Sequence, residues 1–242
     1  MSFSREWSHL LDQVAATVTA PGTLFFRGQE KQDWDLVPAL GRVDHWKPDE
    51  ARERERQLYY DFKIHAGNLL ANEDDSWRIA FLMQHHGLPM RLLDWSASFA
   101  IALHFAMRHA GEHDAVVWIL EAERLNRELA GMERLVMHGD LPGDYHRYFI
   151  SRELEFPHAA LGLAPSRSSP RLQQQRGFFT LHRDLERGLE KICPSALQKI
   201  VIARTLFDDA RLFLRLSGVN EFSLFPDLDG LARHLRTTHG LV

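Results

Sequence analysis

The chain has 242 residues, of which 45% are hydrophobic, and a formal net charge of −4 with histidine neutral. This length suits one compact domain with a sizeable core, and the charge balance argues against a general polyanion binder. The single cysteine, Cys193, excludes an internal disulfide and a cysteine zinc site, and neither a membrane-spanning apolar run nor a charged-then-apolar leader is evident, so we expect a cytoplasmic protein without a membrane partner.

The first part of the chain alternates helical and strand patterns. Residues 1–20 predict an N-terminal amphipathic helix, and LFFRG at 24–28 predicts a short strand with a buried face. Residues 50–72 place apolar side chains at helical spacing and predict a long amphipathic helix. A further helix is expected to begin near Ser76, as its N-cap, and to end at the turn before Pro89.

The rest of the chain continues this mixture. Residues 138–171 contain four prolines and predict an irregular insertion. The other segments are, in order, the strand MRLLDWS, the buried helix SFAIALHFAMRHAG, the strands AVVWIL, GFFTLH and KIVIA, the helix TLFDDARLFLRLSG, the extended segment VNEFSLF and the final helix DLDGLARHL. The predicted class is α+β, with a single compact domain over residues 1–242 in which helices flank a mixed sheet of short strands.

Arg27 raises the first question about function, because three apolar residues before it place its guanidinium beside the core. A half-buried guanidinium needs a partner. That partner is either a carboxylate, with Asp33 and Asp94 as candidates, or a bound anion, since the planar fork of arginine suits phosphate and carboxylate equally.

A second candidate site lies where the strand MRLLDWS ends. Asp94 and Ser96 come just before a buried helix, where helix N-terminal amides and short polar side chains meet ligands. The alternative is that Ser96 or Ser98 only caps the helix. Gln175 and Glu221 are later candidates for a cleft, although side chains of these types more often lie on a solvated edge.

Common catalytic motifs are absent. The sequence has no phosphate-binding glycine loop, no nucleophile elbow and no metalloprotease histidine pair. The fourteen histidines include the adjacent His85 and His86, but no pair has dependable ligand spacing, so no metal is expected. A metal-dependent hydrolase or nuclease that uses His85 or His86 with Asp94 is kept as a third hypothesis.

Several motifs, taken in order, resemble a known family. LFFRG is followed by Trp34, Leu36 and Pro38 in the pattern W-x-L-x-P, then by QHHGLPMRLLDWSASFAIALHFA, QQQRGFFTLH and GVNEFSLFPDLDGLARHL. In this combination the sequence resembles, over nearly its whole length, the FRG domain, a bacterial and phage-associated family named after its Phe-Arg-Gly motif. One departure is Met90, where the family usually has threonine.

The resemblance implies a layout similar to that of ADP-ribosyltransferases. In that layout an early strand carries Arg-Gly, a middle strand ends in Ser or Thr, and a late strand supplies a glutamate. Arg27, Ser96 and Glu221 fall in this order as candidate catalytic residues, with Gln175 as the rival to Glu221. A glutamate there would stabilise the oxocarbenium charge that develops on the ribose of NAD.

The same layout implies a binding site for NAD as substrate. The expected cofactor-binding residues are Arg27, Gly28, Arg91, Asp94 and Ser96, with Arg27 holding the pyrophosphate or a ribose hydroxyl. The leading hypothesis is an NAD-dependent ADP-ribosyltransferase-like toxin or phage-defence effector. Its partners would be an acceptor, either a nucleic acid or a protein, and an antitoxin.

A hypothesis from another class is a non-catalytic module that binds a nucleotide or a nucleic acid. In this case arginines would grip the ligand through its phosphates. The arginines concerned are Arg27, Arg91, Arg167, Arg171 and Arg176.

Overall fold

A seven-stranded sheet forms the centre of the molecule in a computed structural model, which describes residues 2–18, 22–43, 46–70, 73–109, 111–164 and 177–241. The strands are β1 (Leu24–Gln29), β2 (Leu92–Ser96), β3 (Ala115–Glu121), β4 (Val136–Met137), β5 (Ala160–Ala164), β6 (Gly177–His182) and β7 (Leu197–Ile202). Their order across the sheet is β4-β5-β6-β2-β1-β3-β7, in which β4 and β5 are parallel and the other adjacent pairs are antiparallel.

Helices pack around this sheet. The α-helices among the described residues are α1 (Arg5–Val18), α2 (Pro48–Ala66), α3 (Ser76–His85), α4 (Phe99–Met107), α5 (Ala122–Ala130), α6 (Leu189–Ile192), α7 (Phe207–Leu216), α8 (Glu221–Leu224) and α9 (Leu228–Thr238). A π-helical turn spans His146–Ile150. The mixed sheet and its helices confirm the predicted α+β class.

Alternate residues of the strands face opposite sides of the sheet and divide the core. On one side Phe26 and Val117 belong to a cluster with α1, α4 and α7. On the other side Phe25 and Trp118 belong to a cluster with α5 and α6. A third cluster joins β5 and β6 to α3 and the π-helical turn. β1 is therefore covered on both faces, and a polar group on it has little access to water.

Two predicted helices are present with shifted ends. The helix predicted over 50–72 spans Pro48–Ala66. Asp75, and not Ser76, caps α3, since its carboxylate accepts a hydrogen bond from the backbone N–H of Trp77 at 2.9 Å.

The prediction of an extended segment at VNEFSLF is wrong. Asn220 is a helix N-cap, and its side-chain oxygen accepts hydrogen bonds from the backbone N–H groups of Phe222 and Ser223, both at 3.0 Å. The short helix α8 therefore begins at Glu221, which lies outside the sheet. Capping by Asn220 decides the local structure here, because satisfying the first N–H groups of a helix favours the helical turn.

The irregular insertion predicted at 138–171 is regular in part. It includes the π-helical turn and β5, a buried strand that pairs with both β4 and β6. The sequence of β5, ALGLA, lacks the β-branched and aromatic residues typical of strands, so its pattern does not indicate one. Residues 165–171 of this segment lie outside the described residues.

Gly28 sets how closely α4 crosses β1. A Cβ atom on Gly28 would lie 1.9 Å from the carbonyl oxygen of Ala102 and 2.6 Å from the backbone nitrogen of Ala106, both in α4. These are helix backbone atoms and cannot move aside as a flexible side chain could. The glycine next to Arg27 therefore has a packing role that any larger residue would disrupt.

We expect Gly28→Ala to lower the free energy of unfolding by about 2 kcal/mol or more, because overpacking against a rigid helix forces a backbone shift. Urea denaturation would measure this loss. Gly139→Ala is the matched control, since nothing lies within 4 Å of a Cβ at that position. Equal stability of the two variants would contradict the proposed close packing of α4 on β1.

Candidate functional site

A cavity of about 320 Å³ lies where β1, β2 and β6 meet α4. Cationic, acidic and aromatic side chains share its wall. They include Arg27, Arg42, Arg108, Glu30, Asp94, Trp34, Phe105 and Phe179. Because β1 and β2 are adjacent and pair Phe26 with Ser96, the cavity also receives Gly28 and Ser96. The structure thus brings together four predicted site residues, Arg27, Gly28, Asp94 and Ser96.

Arg27 is partly buried in the cavity wall. Its NH1 group donates a hydrogen bond to the backbone carbonyl of Asp94 at 2.7 Å, while its buried Nε has no hydrogen-bond partner among the described residues. Burial lowers the pKa of Arg27 to about 10; the charge of Asp94 opposes this shift and that of Arg42 adds to it. The guanidinium therefore keeps donor capacity that an anionic ligand could use.

The end of β2 supplies short polar groups. One carboxylate oxygen of Asp94 accepts a hydrogen bond from the side-chain amide of Gln84 at 2.6 Å. Ser98 is the N-cap of α4, and its hydroxyl accepts from the backbone N–H of Ile101 at 3.5 Å. The hydroxyl of Ser96 accepts from the backbone N–H of Ser98 at 3.1 Å. Ser98 therefore caps the helix, while Ser96 both braces this turn and lines the cavity.

Two further arginines, Arg42 and Arg108, line the cavity, and neither is predicted as a site residue from the sequence. Burial lowers the pKa of Arg42, with the charge of Asp94 opposing the shift, and the Arg42 side chain forms no hydrogen bond or ion pair with another described residue. Arg108 directly follows α4, where a basic residue is ordinarily explained by the helix dipole. Neither position belongs to a local motif, so only the tertiary structure shows that they join Arg27.

Aromatic side chains give the cavity flat apolar walls. Trp34 is 40% exposed, and the ammonium group of Lys31 lies 5.8 Å from the centre of its ring. Phe105 and Phe179 line the same cavity. Aromatic faces beside guanidinium groups suit a ligand that carries both a planar ring and a phosphate.

The structure does not bring Arg91 to this cavity. Both side chains of the buried pair Arg91–Glu55 are nearly inaccessible to solvent, and Arg91 donates to both carboxylate oxygens of Glu55 and to the carbonyl of His182. The Arg91 guanidinium lies 4.1 Å from the ring centre of Phe149. Burial disfavours the charged guanidinium and would lower its pKa. The interactions with Glu55 and Tyr145 have the larger combined effect, so the pKa of Arg91 is raised. Its donors are occupied, which fits a structural role.

We expect Arg91→Met to cost about 3–5 kcal/mol of unfolding free energy, because it leaves the buried Glu55 carboxylate unpaired. Arg134→Met is the control, since Arg134 pairs with Asp140 at an exposed site where ion pairs contribute at most about 1 kcal/mol. Urea denaturation of both variants measures the difference. A loss no larger than that of the control would show that the buried pair is not needed.

Glu221 also lies outside the cavity. Its carboxylate is within ion-pair distance of Arg233 at 2.9 Å, Arg108 at 3.0 Å and His104 at 3.3 Å. Burial disfavours the charged carboxylate and would raise its pKa. The hydrogen bond from Arg233 and the charges of Arg108 and His104 have the larger effect, so the pKa of Glu221 is lowered. The predicted catalytic glutamate is thus a partner of cations, and only Arg108 links it to the cavity.

Several predicted site residues lie outside the described residues. These are Gln175, Arg167, Arg171 and Arg176. Gly177, the first residue of β6, is paired with Ser96 and lines the cavity.

A buried polar chain lies behind the cavity wall. The indole Nε1 of Trp95 donates to the hydroxyl of Thr180 at 3.0 Å, and this hydroxyl lies 2.8 Å from Nε2 of His182. The Thr180 hydroxyl thus accepts the indole proton, and because it keeps a further lone pair and its own proton, its contact with Nε2 fits either neutral tautomer of His182. Burial lowers the pKa of His182 to about 3, and the charges of Arg27 and Arg91 add to the shift. His182 is therefore neutral at pH 7.

The low pKa of His182 makes folding stability depend on pH. The pKa of His182 is about 3 in the folded state and 6.5 in the unfolded state, so between these pH values the unfolded state binds one more proton. The contribution of His182 to the free energy of unfolding therefore falls as the pH decreases from 6.5 toward 3. We expect the stability advantage of wild type over His182→Gln to shrink by about 2 kcal/mol from pH 7.5 to pH 5. Urea titrations at both pH values measure it, with His9→Gln, at an exposed position, as control. An unchanged advantage would mean that His182 titrates normally.

No group of three or more His, Cys, Asp or Glu side chains in the described ranges is arranged to hold a metal ion. His85 lines the cavity with Asp94, but no third ligand accompanies them among those residues. The metal-dependent hypothesis therefore gains no support from the geometry.

Fold and site together define an α+β protein with a basic, aromatic-lined cavity beside the strand that carries Phe-Arg-Gly. Residues 22–115 match the family model described as FRG domain. The match supports the resemblance to the FRG family over these residues, whereas the layout similar to that of ADP-ribosyltransferases stays a prediction. The matched region covers less than half of the chain but includes β1, β2 and α4. No curated protein and no solved structure matches the sequence.

No helix in the described part of the chain is both long and apolar enough to cross a bilayer.

Proposed function

We propose that the cavity binds a nucleotide that carries a pyrophosphate, and that NAD is this nucleotide. The observation that carries the proposal is the Arg27 guanidinium, which lines the cavity, donates from NH1 to the carbonyl of Asp94, and has a buried Nε without a partner among the described residues. Arg42 and Arg108 enlarge the positive charge around it. A diphosphate would satisfy these donors with charge-assisted hydrogen bonds.

The aromatic walls favour a nucleotide over a simple anion. A base or a nicotinamide ring could stack on the exposed face of Trp34 or lie against Phe105, while the phosphates meet the arginines. Stacking and charge-assisted contacts in one cavity are the usual means by which proteins hold nucleotides of this kind.

ADP-ribosyl transfer from NAD is the reaction that we propose for this site. In it the bond between nicotinamide and C1′ of the ribose breaks, and nicotinamide leaves with the bonding electrons. A nucleophile of the acceptor then bonds to C1′ and gives up its proton. The carboxylate of Asp94, held by Gln84, is the cavity group that we assign to stabilise the oxocarbenium charge, since Glu221 lies outside the cavity.

Arg27 and Ser96 then have separate roles. Arg27 binds the pyrophosphate, and Ser96 keeps the end of β2 in place and faces the ribose. Consumption of NAD would suit a role as a toxin or phage-defence effector. The partners of the protein would then be a nucleic-acid or protein acceptor and an antitoxin. The alternative is a non-catalytic module that binds a nucleotide or a nucleic acid through arginines that include Arg27 and leaves NAD intact.

Calorimetric titration of NAD into the purified full chain tests the binding proposal. We expect Arg27→Ala to weaken binding about tenfold or more, because hydrogen bonds to charged groups contribute roughly 1.5–3 kcal/mol, and Arg27→Lys to lose less. Arg134→Ala, which removes an exposed arginine outside the cavity, should bind as wild type does.

Nicotinamide release from the same samples separates the two functions. Release by wild type that is lost in Asp94→Asn, with NAD affinity retained, would support cleavage of the nicotinamide–ribose bond at this site, with water taking the place of the acceptor in these samples. Binding without release would favour the non-catalytic module, and absence of NAD binding by folded wild-type protein would overturn the proposal.

A further inference from the structure

Arg108 lines two cavities. It lines the cavity beside Arg27 and also a second cavity of about 710 Å³ next to α7 and α9, which contains Glu221. Because Arg108 directly follows α4, its backbone is fixed while its long side chain stands between the nucleotide site and the C-terminal helices α8 and α9. Its contacts therefore connect two parts of the molecule.

The two contacts between Arg108 and Glu221 use one edge of the guanidinium. Nε of Arg108 lies 3.0 Å from one carboxylate oxygen of Glu221, and its NH2 donates to the other at 3.3 Å. The Arg108 side chain is 30% exposed and that of Glu221 only 13%. This ion pair is the charged link that fastens the start of α8 to the end of α4.

A second arginine pairs with the same carboxylate. Nε of Arg233, in α9, donates to Glu221 at 2.9 Å, and the guanidinium groups of Arg108 and Arg233 both lie 5.1 Å from the ring centre of Phe225. His104 lies 3.3 Å from the same carboxylate; burial lowers the pKa of His104, and the charge of Glu221 opposes this shift. One carboxylate thus faces two permanent cations.

This imbalance determines which ion pair can be given up. Arg233 has no position in the nucleotide cavity, whereas Arg108 does. If Arg108 turned toward a ligand, Glu221 would still be paired with Arg233 and would not become an isolated, poorly solvated charge. Withdrawing Arg108 therefore costs little compared with breaking a single buried pair.

We infer that Glu221 and the phosphates of the nucleotide compete for Arg108, so that filling the cavity and docking of the helices α8 and α9 oppose each other. The inference rests on the proposed nucleotide binding. Coupling between two sites is reciprocal: whatever weakens the Glu221–Arg108 pair strengthens nucleotide binding, and the nucleotide in turn weakens the attachment of α8 and α9.

Glu221→Gln is the test variant, because glutamine keeps the shape and an acceptor oxygen but removes the negative charge. We expect it to bind NAD about fivefold more tightly or better, the low end of typical coupling between sites. Asp229→Asn makes the same charge change at an exposed position in α9 and should leave NAD affinity unchanged. In the background of Arg108→Gln, adding Glu221→Gln should have no effect.

Hydrogen exchange of the wild-type protein gives a readout that does not depend on a variant's folding. NAD should accelerate exchange of backbone amides in residues 221–238 relative to the free protein. Unchanged or weaker NAD binding by Glu221→Gln, or slower exchange of this segment with NAD, would overturn the inference while Arg27→Ala could still confirm the nucleotide site. A wild-type protein that binds no NAD would overturn both.

Discussion

A guanidinium set inside a sheet has to be paired, hydrated or met by a ligand, and β1 places Arg27 in that position, between β2 and β3. The fold supplies one carbonyl from Asp94 as its hydrogen-bond acceptor. Burial is the main reason that the pKa of Arg27 is lowered; the charge of Arg42 adds to this shift and that of Asp94 opposes it. The strand therefore imposes a desolvation cost on the guanidinium, which an anionic ligand in the cavity would offset.

Local patterns were sufficient to find the elements that build this arrangement. The apolar run before Arg27, the strand that ends at Ser96 and the apolar helix after it all have strong sequence periodicity or clear boundary residues, and they became β1, β2 and α4. That β1 and β2 are adjacent and antiparallel, which brings Arg27, Asp94 and Ser96 near one another, is shown only by the structure.

What the sequence could not show depends on contacts between distant residues or on competing local preferences. Glu55 lies in a helix rich in charged residues, and nothing nearby in sequence marks it as buried or as the partner of Arg91, 36 positions away. The sequence VNEFSLF predicts an extended segment, but the N-cap at Asn220 stabilises a short helix there. Arg108 looked like an ordinary helix-end cation, although it faces the cavity.

The strand order has a consequence for synthesis of the chain. β2 pairs along its whole length with β6, and six residues of β3 pair with β7, although both partners lie beyond the region that matches the FRG domain. A nascent chain released from the ribosome only as far as β3 would expose the outer edges of β2 and β3, and its cavity would lack the wall supplied by Gly177 and Phe179. Such long-range pairing delays folding. The wall of the cavity is therefore completed only after β6 has emerged, and β7 must emerge later still to pair with β3 and complete the sheet.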